Sequence, residues 1–397
     1  MAERWLFIDG AATFGGHEVM LLRFVEELSR QRLITPRILA RRGSVLRDKA
    51  GAFATTPALP ERTPEGGPLR RIAHGLREVR TFFAALAAER PELCIVAEGC
   101  LLAQPWFTLL CRIARRRCAV YVPLVERAER LGFRSGRLRD RLVRWGYANL
   151  PHAWIVLTRE QAESFIAWSG TRKPVLVLPN AVAPHIEALA GQPAAIAGGP
   201  GPLRILVLGR LDAWHKGLDL LLDHLEFNPR TARAVRVSLV GDGPFRQEIE
   251  QRIARFPHLQ QSVSLQGWSD AVTAYQAHDV LLLPSRFEGV PLVMLEAMAL
   301  GLPVVASDLA GTRAYLSPEC LFPVGDMAHA FAILDRLRDV HERRRIAQRN
   351  RATFARRASG AAFADAVRQL SCELPGAIQG LSKECRRSSA AVRRQES

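Results

Sequence analysis

The stretch PSRFEGVPLVMLEAMALGLPVVASDLAG (residues 284–311) carries the most information about the fold of this 397-residue chain. A buried strand ends near Pro284, a loop holds Glu288 and Gly289, and a second apolar strand, PVVAS, follows at 303–307. Pro291 suits the first turn of a helix between them, because its fixed φ is already helical and its missing N–H would be unpaired there. The stretch predicts a strand–helix–strand unit of a buried parallel sheet.

The same stretch offers a ligand site. Gly289 lets the backbone approach a ligand, and the helix N-terminus presents N–H groups and partial positive charge to an anion such as a diphosphate. Glu296 lies inside an apolar sequence, where an unpaired carboxylate would be costly. An isolated pair of glutamates is more often solvated on a helix surface. The apolar setting of Glu296 favours binding instead, and a carboxylate that accepts two vicinal hydroxyls is what ribose recognition requires.

A second candidate site is ILVLGRLDAWHKGLDLLL (205–222). A buried strand ends at Gly209, and Arg210 and Lys216 follow in the connection at the carboxyl edge of the sheet, where open α/β sheets bind their ligands. Two cations converging there would neutralise a diphosphate leaving group as its charge develops. The alternative is a pair of exposed loop cations. A Gly-rich turn, SLVGDGP (238–244), ends another strand and is weak evidence alone.

The third candidate lies near the start of the chain. After the strand WLFID (5–9), Gly15 and Gly16 open a helix, so a glycine-rich loop precedes an anion-friendly helix terminus. Two adjacent glycines are often only a turn, but this loop would lie at the carboxyl edge of the first sheet.

Strands alternate with helical patterns along most of the chain, which indicates two doubly wound α/β domains facing each other across a cleft. The strand candidates are 5–9, 36–40, 93–98, 119–124, 153–158 and 175–179 in the first domain, and 204–209, 236–241, 279–285 and 303–307 in the second. We expect a first domain over 1–184, a linker rich in Ala, Gly and Pro over 185–202, and a second domain over 203–344. The basic tail, 375–397, is expected to be disordered.

Composition excludes several classes of protein. With 48% hydrophobic and 24% charged residues, the chain is neither mainly disordered nor a disulfide-stapled miniprotein. The seven cysteines form no C-x-x-C pair, so no zinc or redox motif is indicated. No apolar run approaches the roughly 20 residues of a spanning helix, and no cleavable leader is evident, so a cytoplasmic location is expected.

The net charge of +16 is concentrated in the first domain. Eleven arginines fall between Arg112 and Arg144, interleaved with Leu, Phe, Val and Trp. This pattern predicts peripheral contact with an anionic membrane, each cation contributing roughly 1 kcal/mol near the surface. The alternative is a solvated arginine-rich face.

Five motifs, in order, resemble the retaining, nucleotide-sugar-dependent glycosyltransferases of the GT-B fold, family 4 or "group 1". The resemblance runs from about Phe14 to Asp326 and is strongest over 204–312. The matching motifs are Gly15–Gly16 with Glu18, Pro179–Val182, Gly209–Leu211 with Lys216–Gly217, Val240–Pro244, and Glu288 through Val305.

The resemblance implies a GT-B architecture of two Rossmann-like domains, with the last helices (about 345–372) crossing back to the first. It implies that Arg210 and Lys216 bind the donor diphosphate, that Glu288 lies by the donor sugar and that Glu296 binds the ribose. No metal and no cofactor are expected beyond a UDP- or GDP-sugar co-substrate. The further donor-binding residues implied are Gly15, Gly16, Asn180, Gly209, Gly267, Trp268, Gly289, Val290, Pro291 and Leu292.

The function expected is sugar transfer, with retention, to a hydroxyl of a lipid-linked or cell-surface glycan of the lipopolysaccharide or exopolysaccharide type. The enzyme would work at the inner face of the cell membrane. Two alternatives stay open: a basic nucleic-acid-binding or scaffold protein with an idle cleft, and a nucleotide-sugar epimerase or phosphorylase on the same fold. Because the sequence lacks RNA-binding aromatic motifs and a recognition-helix pattern, we expect no nucleic-acid partner.

Overall fold

A computed structural model describes residues 3–11, 14–61, 67–190, 201–268 and 270–379. The chain divides into two compact units. The first takes the residues up to Pro179 and those from Ala364 onward, and the second takes Asn180–Phe363. Each unit is built on one parallel six-stranded sheet, so the predicted α/β class with two doubly wound sheets is confirmed.

The first sheet has the strand order β2-β1-β3-β4-β5-β6, and the second has β12-β11-β10-β7-β8-β9. The strands are β1 Glu3–Asp9, β2 Ile34–Ala40, β3 Leu93–Ala97, β4 Arg117–Tyr121, β5 Ala153–Val156, β6 Val175–Val177, β7 Leu203–Leu208, β8 Val235–Val240, β9 Val263–Gln266, β10 Val280–Leu283, β11 Val304–Ser307 and β12 Leu321–Phe322.

Helices connect the strands and cover the sheets. In the first part of the chain they are α1 Gly16–Arg30, α2 Val45–Ala50, α3 Pro68–Glu89, α4 Pro105–Ile113, α5 Gly136–Trp145 and α6 Arg159–Ser169. The rest are α7 Pro184–Glu187, α8 Ala213–Lys216, α9 Leu218–Phe227, α10 Pro229–Arg233, α11 Arg246–Arg255, α12 Pro257–Ser262, α13 Ala271–Gln276, α14 Leu292–Leu300, α15 Ala310–Arg313, α16 Met327–Arg336, α17 Val340–Arg357 and α18 Gly360–Gln379.

Both sheets are buried on their two faces, as continuous apolar strands require. In the first unit, β3 is buried along its whole length, and Trp154 of β5 lies in the core with its ring 4.9 Å from that of Phe165. In the second unit, β10 and β11 are buried at every position. Helices α9 and α16 pack against that sheet through residues such as Leu221 and Ile333.

Each strand order has one point where the direction of winding reverses, and ligands of open α/β sheets bind there, outside the carboxyl ends of the strands. In the second sheet this switch point lies between β7 and β10, which pair in parallel. In the first sheet it lies between β1 and β3. The fold thus predicts two ligand sites, one at the switch point of each sheet.

The ten predicted strands are all present, but two others escaped prediction. Strand β9 is partly exposed at the sheet edge and has four residues, and β12 has only two. Short edge strands carry too little hydrophobic pattern to be recognised.

Several predicted boundaries fall differently in the structure. The expected linker begins at 185, but residues 184–187 form helix α7. Helix α17 belongs to the second unit, and so do the first four residues of α18, whereas the rest of α18 from Ala364 onward belongs to the first unit. Helix α18 continues to Gln379, past the predicted start of the tail. Residues 191–200 and 380–397, which hold most of the expected linker and tail, lie outside the described residues.

Candidate functional site

The loop after β7 packs tightly on the turn after β8. The amide of Leu211 donates to the carbonyl of Asp242 at 2.9 Å. A Cβ on Gly241, whose φ is +137°, would lie 2.0 Å from the Gly209 carbonyl oxygen. Gly241 of the SLVGDGP turn therefore has a structural role, because it lets the loop that carries Arg210 pack against the turn after β8. Arg210 itself is exposed on this loop.

Lys216 and Glu288 meet at the switch point although they are 72 residues apart. Lys216 Nζ donates to Glu288 Oε1 at 2.5 Å, and Ser285 Oγ donates to the same oxygen at 2.9 Å. Gly217 makes this approach possible, since a Cβ there would lie 2.1 Å from the Pro284 carbonyl oxygen. Arg210, Lys216 and Ser285 line one small pocket whose other lining residues are apolar or glycine, so the two predicted cations are brought to the same place.

An arginine that sequence reasoning missed fixes this arrangement. Arg286 makes a bidentate ion pair with Asp219, both N–O distances being 2.7 Å, and donates to the carbonyls of Ala213 and Trp214 at 3.1 and 3.2 Å. It thus ties α8, which carries Lys216, to the loop that carries Glu288. In the sequence, nothing distinguishes Arg286 from the many other arginines of the chain.

The N-terminus of α14 is held by close backbone contact. Pro291 is its N-cap rather than its first helical residue, and Leu292 begins the helix. A Cβ on Gly311 would lie 1.4 Å from the Gly289 carbonyl oxygen, so α15 can touch this loop only through a glycine. Asn180 Nδ2 donates to the Val290 carbonyl at 2.9 Å. The free amides of the first turn of α14 are thereby held in place.

Glu296 is half-buried and hydrogen-bonded to a tyrosine that the sequence analysis did not identify. Tyr275 Oη donates to Glu296 Oε2 at 2.6 Å and to the Val293 carbonyl at 3.2 Å. Burial raises the pKa of Glu296 above its ordinary value, and the tyrosine hydrogen bond opposes part of that rise. Tyr275 lies on α13, which follows the predicted donor-binding residues Gly267 and Trp268 in the chain; Trp268 is 67% exposed.

The switch point of the first sheet has a different character. Gly15 and Gly16 are exposed where α1 begins, and the Gly15 amide donates to Glu18 Oε2 at 2.8 Å. His17 Nδ1 lies 3.3 Å from Glu18 Oε1, and its ring stacks on Tyr121 at 5.9 Å. At the end of β1, Asp9 is fully buried, and its Oδ2 has no hydrogen-bond partner among the described residues.

The charges of this cluster are coupled. Burial raises the pKa of Asp9. Burial alone would lower the pKa of His17, but its hydrogen bond to Glu18 and the nearby carboxyl groups raise it overall. Ligand atoms of Asp9, His17 and Glu18 all lie within 4.8 Å of one another, which makes them the candidates for holding a metal ion in the described part of the chain.

A second buried acid lies at the end of β3. Glu98 is fully buried and accepts a hydrogen bond from Tyr147 Oη at 2.5 Å. Burial raises its pKa to about 7. Sequence analysis identified neither residue, because a single Glu after an apolar strand is an ordinary strand end.

Parts of the chain are similar in sequence to known proteins. Residues 202–339 match the family model for glycosyl transferases group 1. The chain is 30% identical over 188 residues to the lipopolysaccharide core biosynthesis mannosyltransferase LpsB of Rhizobium meliloti, an alignment covering 44% of this chain and 53% of LpsB. It spans only 21–37% of the first curated relatives that it matches.

Two solved structures share the fold. Sucrose-phosphate synthase from Thermosynechococcus elongatus superposes with a TM-score of 0.71 at 20% identity, covering 94% of this chain and 100% of that one. HepE of Anabaena, in complex with UDP and glucose, gives a TM-score of 0.67 at 20% identity, covering 94% and 99%. At this identity the likeness concerns the fold alone.

Proposed function

We propose a sugar-transfer function on the premise that residues 202–339 belong to the glycosyl transferases group 1 family and that the chain has the GT-B fold. The protein moves a sugar from a nucleoside diphosphate to a hydroxyl group of an acceptor glycan. The observation that carries this proposal is the placement of Arg210 and Lys216 at the β7/β10 switch point, where both line one small pocket.

The donor diphosphate binds beside this small pocket, against Arg210 and Lys216. Lys216 uses one of its three ammonium protons on Glu288 and keeps two for phosphate oxygens. Arg210 is exposed and offers a planar fork that suits phosphate geometry. The free amides at the N-terminus of α14 add further donors and the positive end of the helix dipole. In this proposal Lys216, Arg210 and the N-terminus of α14 bind one anion, and the backbone around it comes from Gly209, Gly289, Val290, Pro291 and Leu292.

Glu296 binds the ribose hydroxyls and Glu288 lies beside the sugar. Tyr275 engages Glu296 Oε2, which leaves Oε1 to accept a hydroxyl. The base lies near Gly267 and Trp268. Among the possible bases we favour uracil, since HepE, which shares the fold, was solved with UDP and glucose; a GDP-sugar is the second choice.

Transfer proceeds with retention at the anomeric carbon. The bond between that carbon and the diphosphate oxygen breaks, and the acceptor hydroxyl forms the new glycosidic bond on the face that the diphosphate leaves. The acceptor proton passes to the departing phosphate, while Arg210 and Lys216 stabilise the developing charge. Since fixed cations perform this task, we propose that no metal ion takes part in the donor site.

The first domain receives the acceptor, a lipid-linked or cell-surface glycan. The role of LpsB in lipopolysaccharide core biosynthesis supports this acceptor class. Gly15 and Gly16 lie at the carboxyl edge of the first sheet, next to buried acids that can accept sugar hydroxyl hydrogen bonds.

The membrane contact rests on two helices of the first domain. On α4, Trp106, Leu109 and Ile113 are 42%, 48% and 62% exposed at helical spacing. On α5, Leu138, Leu142 and Trp145 are 58%, 46% and 88% exposed, again on one face. Arginines flank both faces between Arg112 and Arg144. Amphipathic helices with this composition lie in the membrane interface, and this supports our proposal that the enzyme works at the inner face of the cell membrane. No described helix is both long and apolar enough to span it.

A thermal-shift experiment with UDP-, GDP- and ADP-sugars tests the donor site. A ligand that binds the native state raises the midpoint of unfolding. We expect one nucleotide sugar to stabilise the wild type, and the shift to vanish in Glu296→Ala. The matched control is Glu250→Ala, a surface glutamate paired with Arg246. An unchanged shift in Glu296→Ala would remove Glu296 from the ribose site.

Flotation with anionic vesicles tests the membrane face. The variant Leu142→Glu/Trp145→Glu should lose flotation, because two carboxylates then face the anionic surface. Phe227→Glu, which changes an 82% exposed side chain of the second unit, should float like the wild type. Equal flotation of both variants would reject this face.

A further inference from the structure

The amino-terminal edge of the first sheet carries an arginine-lined pocket that belongs to neither switch point. Strands β1, β3 and β4 are neighbours in that sheet, and their first residues lie at this edge. The pocket between them is lined by Arg4, Ala87, Arg90, Pro91, Glu92, Arg115, Arg116 and Arg117. It is at the opposite end of the strands from Gly15 and Gly16.

The guanidinium groups of this pocket are not neutralised by carboxylates. Among the residues that the structure describes, none of the five arginines has an ion pair within 4.0 Å. The one acid in the lining, Glu92, uses Oε2 to accept the backbone amide of Arg4 at 2.7 Å. That carboxylate is therefore engaged with the main chain.

Helix dipoles do not account for five arginines. Helices α3 and α4 end at this edge, and their C-terminal carbonyls attract cations, but each contributes only roughly half a negative charge. Together with Glu92, the two helix ends leave the pocket with a net charge of roughly +3. Like charges gathered at this density repel each other unless an anion joins them.

The backbone fixes where two of these arginines emerge. Arg90 follows α3 with φ +45°, and Arg115 follows α4 with φ +52°, a left-handed conformation usually taken by glycine or asparagine at helix ends. Each of these residues stands in a short connection that leads from the helix into a strand, β3 or β4, so the two side chains emerge from neighbouring connections at one edge of the sheet. Guanidinium groups held in this way suit bidentate contact with phosphate oxygens.

We propose that this pocket binds a phosphate group, either of an anionic lipid headgroup or of a soluble polyphosphate. The exposed apolar face of α4, with Trp106 and Ile113, lies on the helix that leads into Arg115–Arg117 and favours the lipid source. The proposal does not depend on the donor site, which lies in the second unit.

The test compares inorganic triphosphate with vesicles, using the double variant Arg115→Gln/Arg117→Gln. Arg159→Gln/Arg172→Gln, which changes two other exposed arginines of the first unit, is the control. Lys216→Ala removes binding at the donor pocket. We expect triphosphate to raise the unfolding midpoint of the control and of Lys216→Ala, and to bind the pocket variant at least about tenfold more weakly.

The two sources of phosphate give different outcomes. A triphosphate shift lost only in the pocket variant supports a soluble ligand. Flotation on phosphatidylglycerol vesicles lost only in the pocket variant, with no triphosphate shift, supports a lipid headgroup. A pocket variant that behaves like the control in both assays overturns the proposal, as does a triphosphate shift lost only in Lys216→Ala. Without ligand, the pocket variant should unfold at the wild-type temperature or above it, because the removed charges repel.

Discussion

The two sheets have a switch point each, and the side chains placed there differ in charge and in burial. At β7/β10 of the second sheet, the exposed Arg210 and the half-buried Lys216 line one small pocket. At β1/β3 of the first sheet, the carboxyl groups of Asp9 and Glu98 are fully buried. The same topological position thus presents different side chains in the two sheets: cations suit an anionic ligand, whereas buried acids suit hydroxyl groups. The position comes from the winding of the sheet, and the ligand class comes from the loops.

The largest effect is expected at the cationic switch point. Lys216→Ala should lower kcat/KM for transfer about 100- to 1,000-fold, because one preorganised charge contact to the leaving diphosphate is lost. The rate at which nucleoside diphosphate is released from the donor measures this fall in kcat/KM. Lys173→Ala, in the first domain, is the control. A loss of less than tenfold would show that the second switch point does not stabilise the leaving group.

The acidic switch point should reveal itself in the pH dependence of stability. Since burial raises the pKa of Glu98 to about 7, the folded protein keeps a proton that the unfolded chain releases near its ordinary value of 4.5. The contribution of this retained proton to the free energy of unfolding is complete below pH 4.5 and is lost as the pH rises through about 7.

Glu98→Gln isolates this effect. Relative to Glu98→Gln, the wild type should lose on the order of 3 kcal/mol of unfolding free energy between pH 4.5 and pH 8. Denaturant unfolding at several pH values measures the difference, and the neighbours Asp9, His17 and Tyr147 remain in both proteins. Parallel pH profiles of the two proteins would contradict a raised pKa at Glu98.

A smaller effect is expected from the residue that positions Lys216. Arg286→Lys keeps the charge but loses the bidentate contact to Asp219 and the bonds to the α8 carbonyls. We expect kcat to fall about tenfold while donor KM changes less, because Arg286 orients Lys216 and does not touch the donor. Arg368→Lys, which alters an exposed i,i+3 pair with Asp365, should have no effect. A rise in KM alone would assign Arg286 a direct role in binding.

The smallest effect concerns Glu296. Tyr275→Phe removes the 2.6 Å hydrogen bond to its carboxylate, and since a typical hydrogen bond contributes about 1 kcal/mol net, donor affinity should fall less than about tenfold. The lost bond had lowered the pKa of Glu296, so in Tyr275→Phe the acid limb of donor binding should move to higher pH. Isothermal titration calorimetry across pH 5–8 measures the shift. An unmoved acid limb would mean that Glu296 is not the group that titrates.

The sequence by itself determined the α/β class, ten of the twelve strands found in the described part of the chain, and the local motifs around Arg210 and Glu288. These signals are short-range, since hydrophobic continuity and glycine placement act within a few residues. Which polar side chains form hydrogen bonds with each other was decided only by the tertiary structure. Lys216 and Glu288 are 72 residues apart, Tyr275 and Glu296 are 21 apart, and Tyr147 and Glu98 are 49 apart. Which polar groups meet depends on how strands order in a sheet and how helices pack on it, and no local pattern encodes those distances.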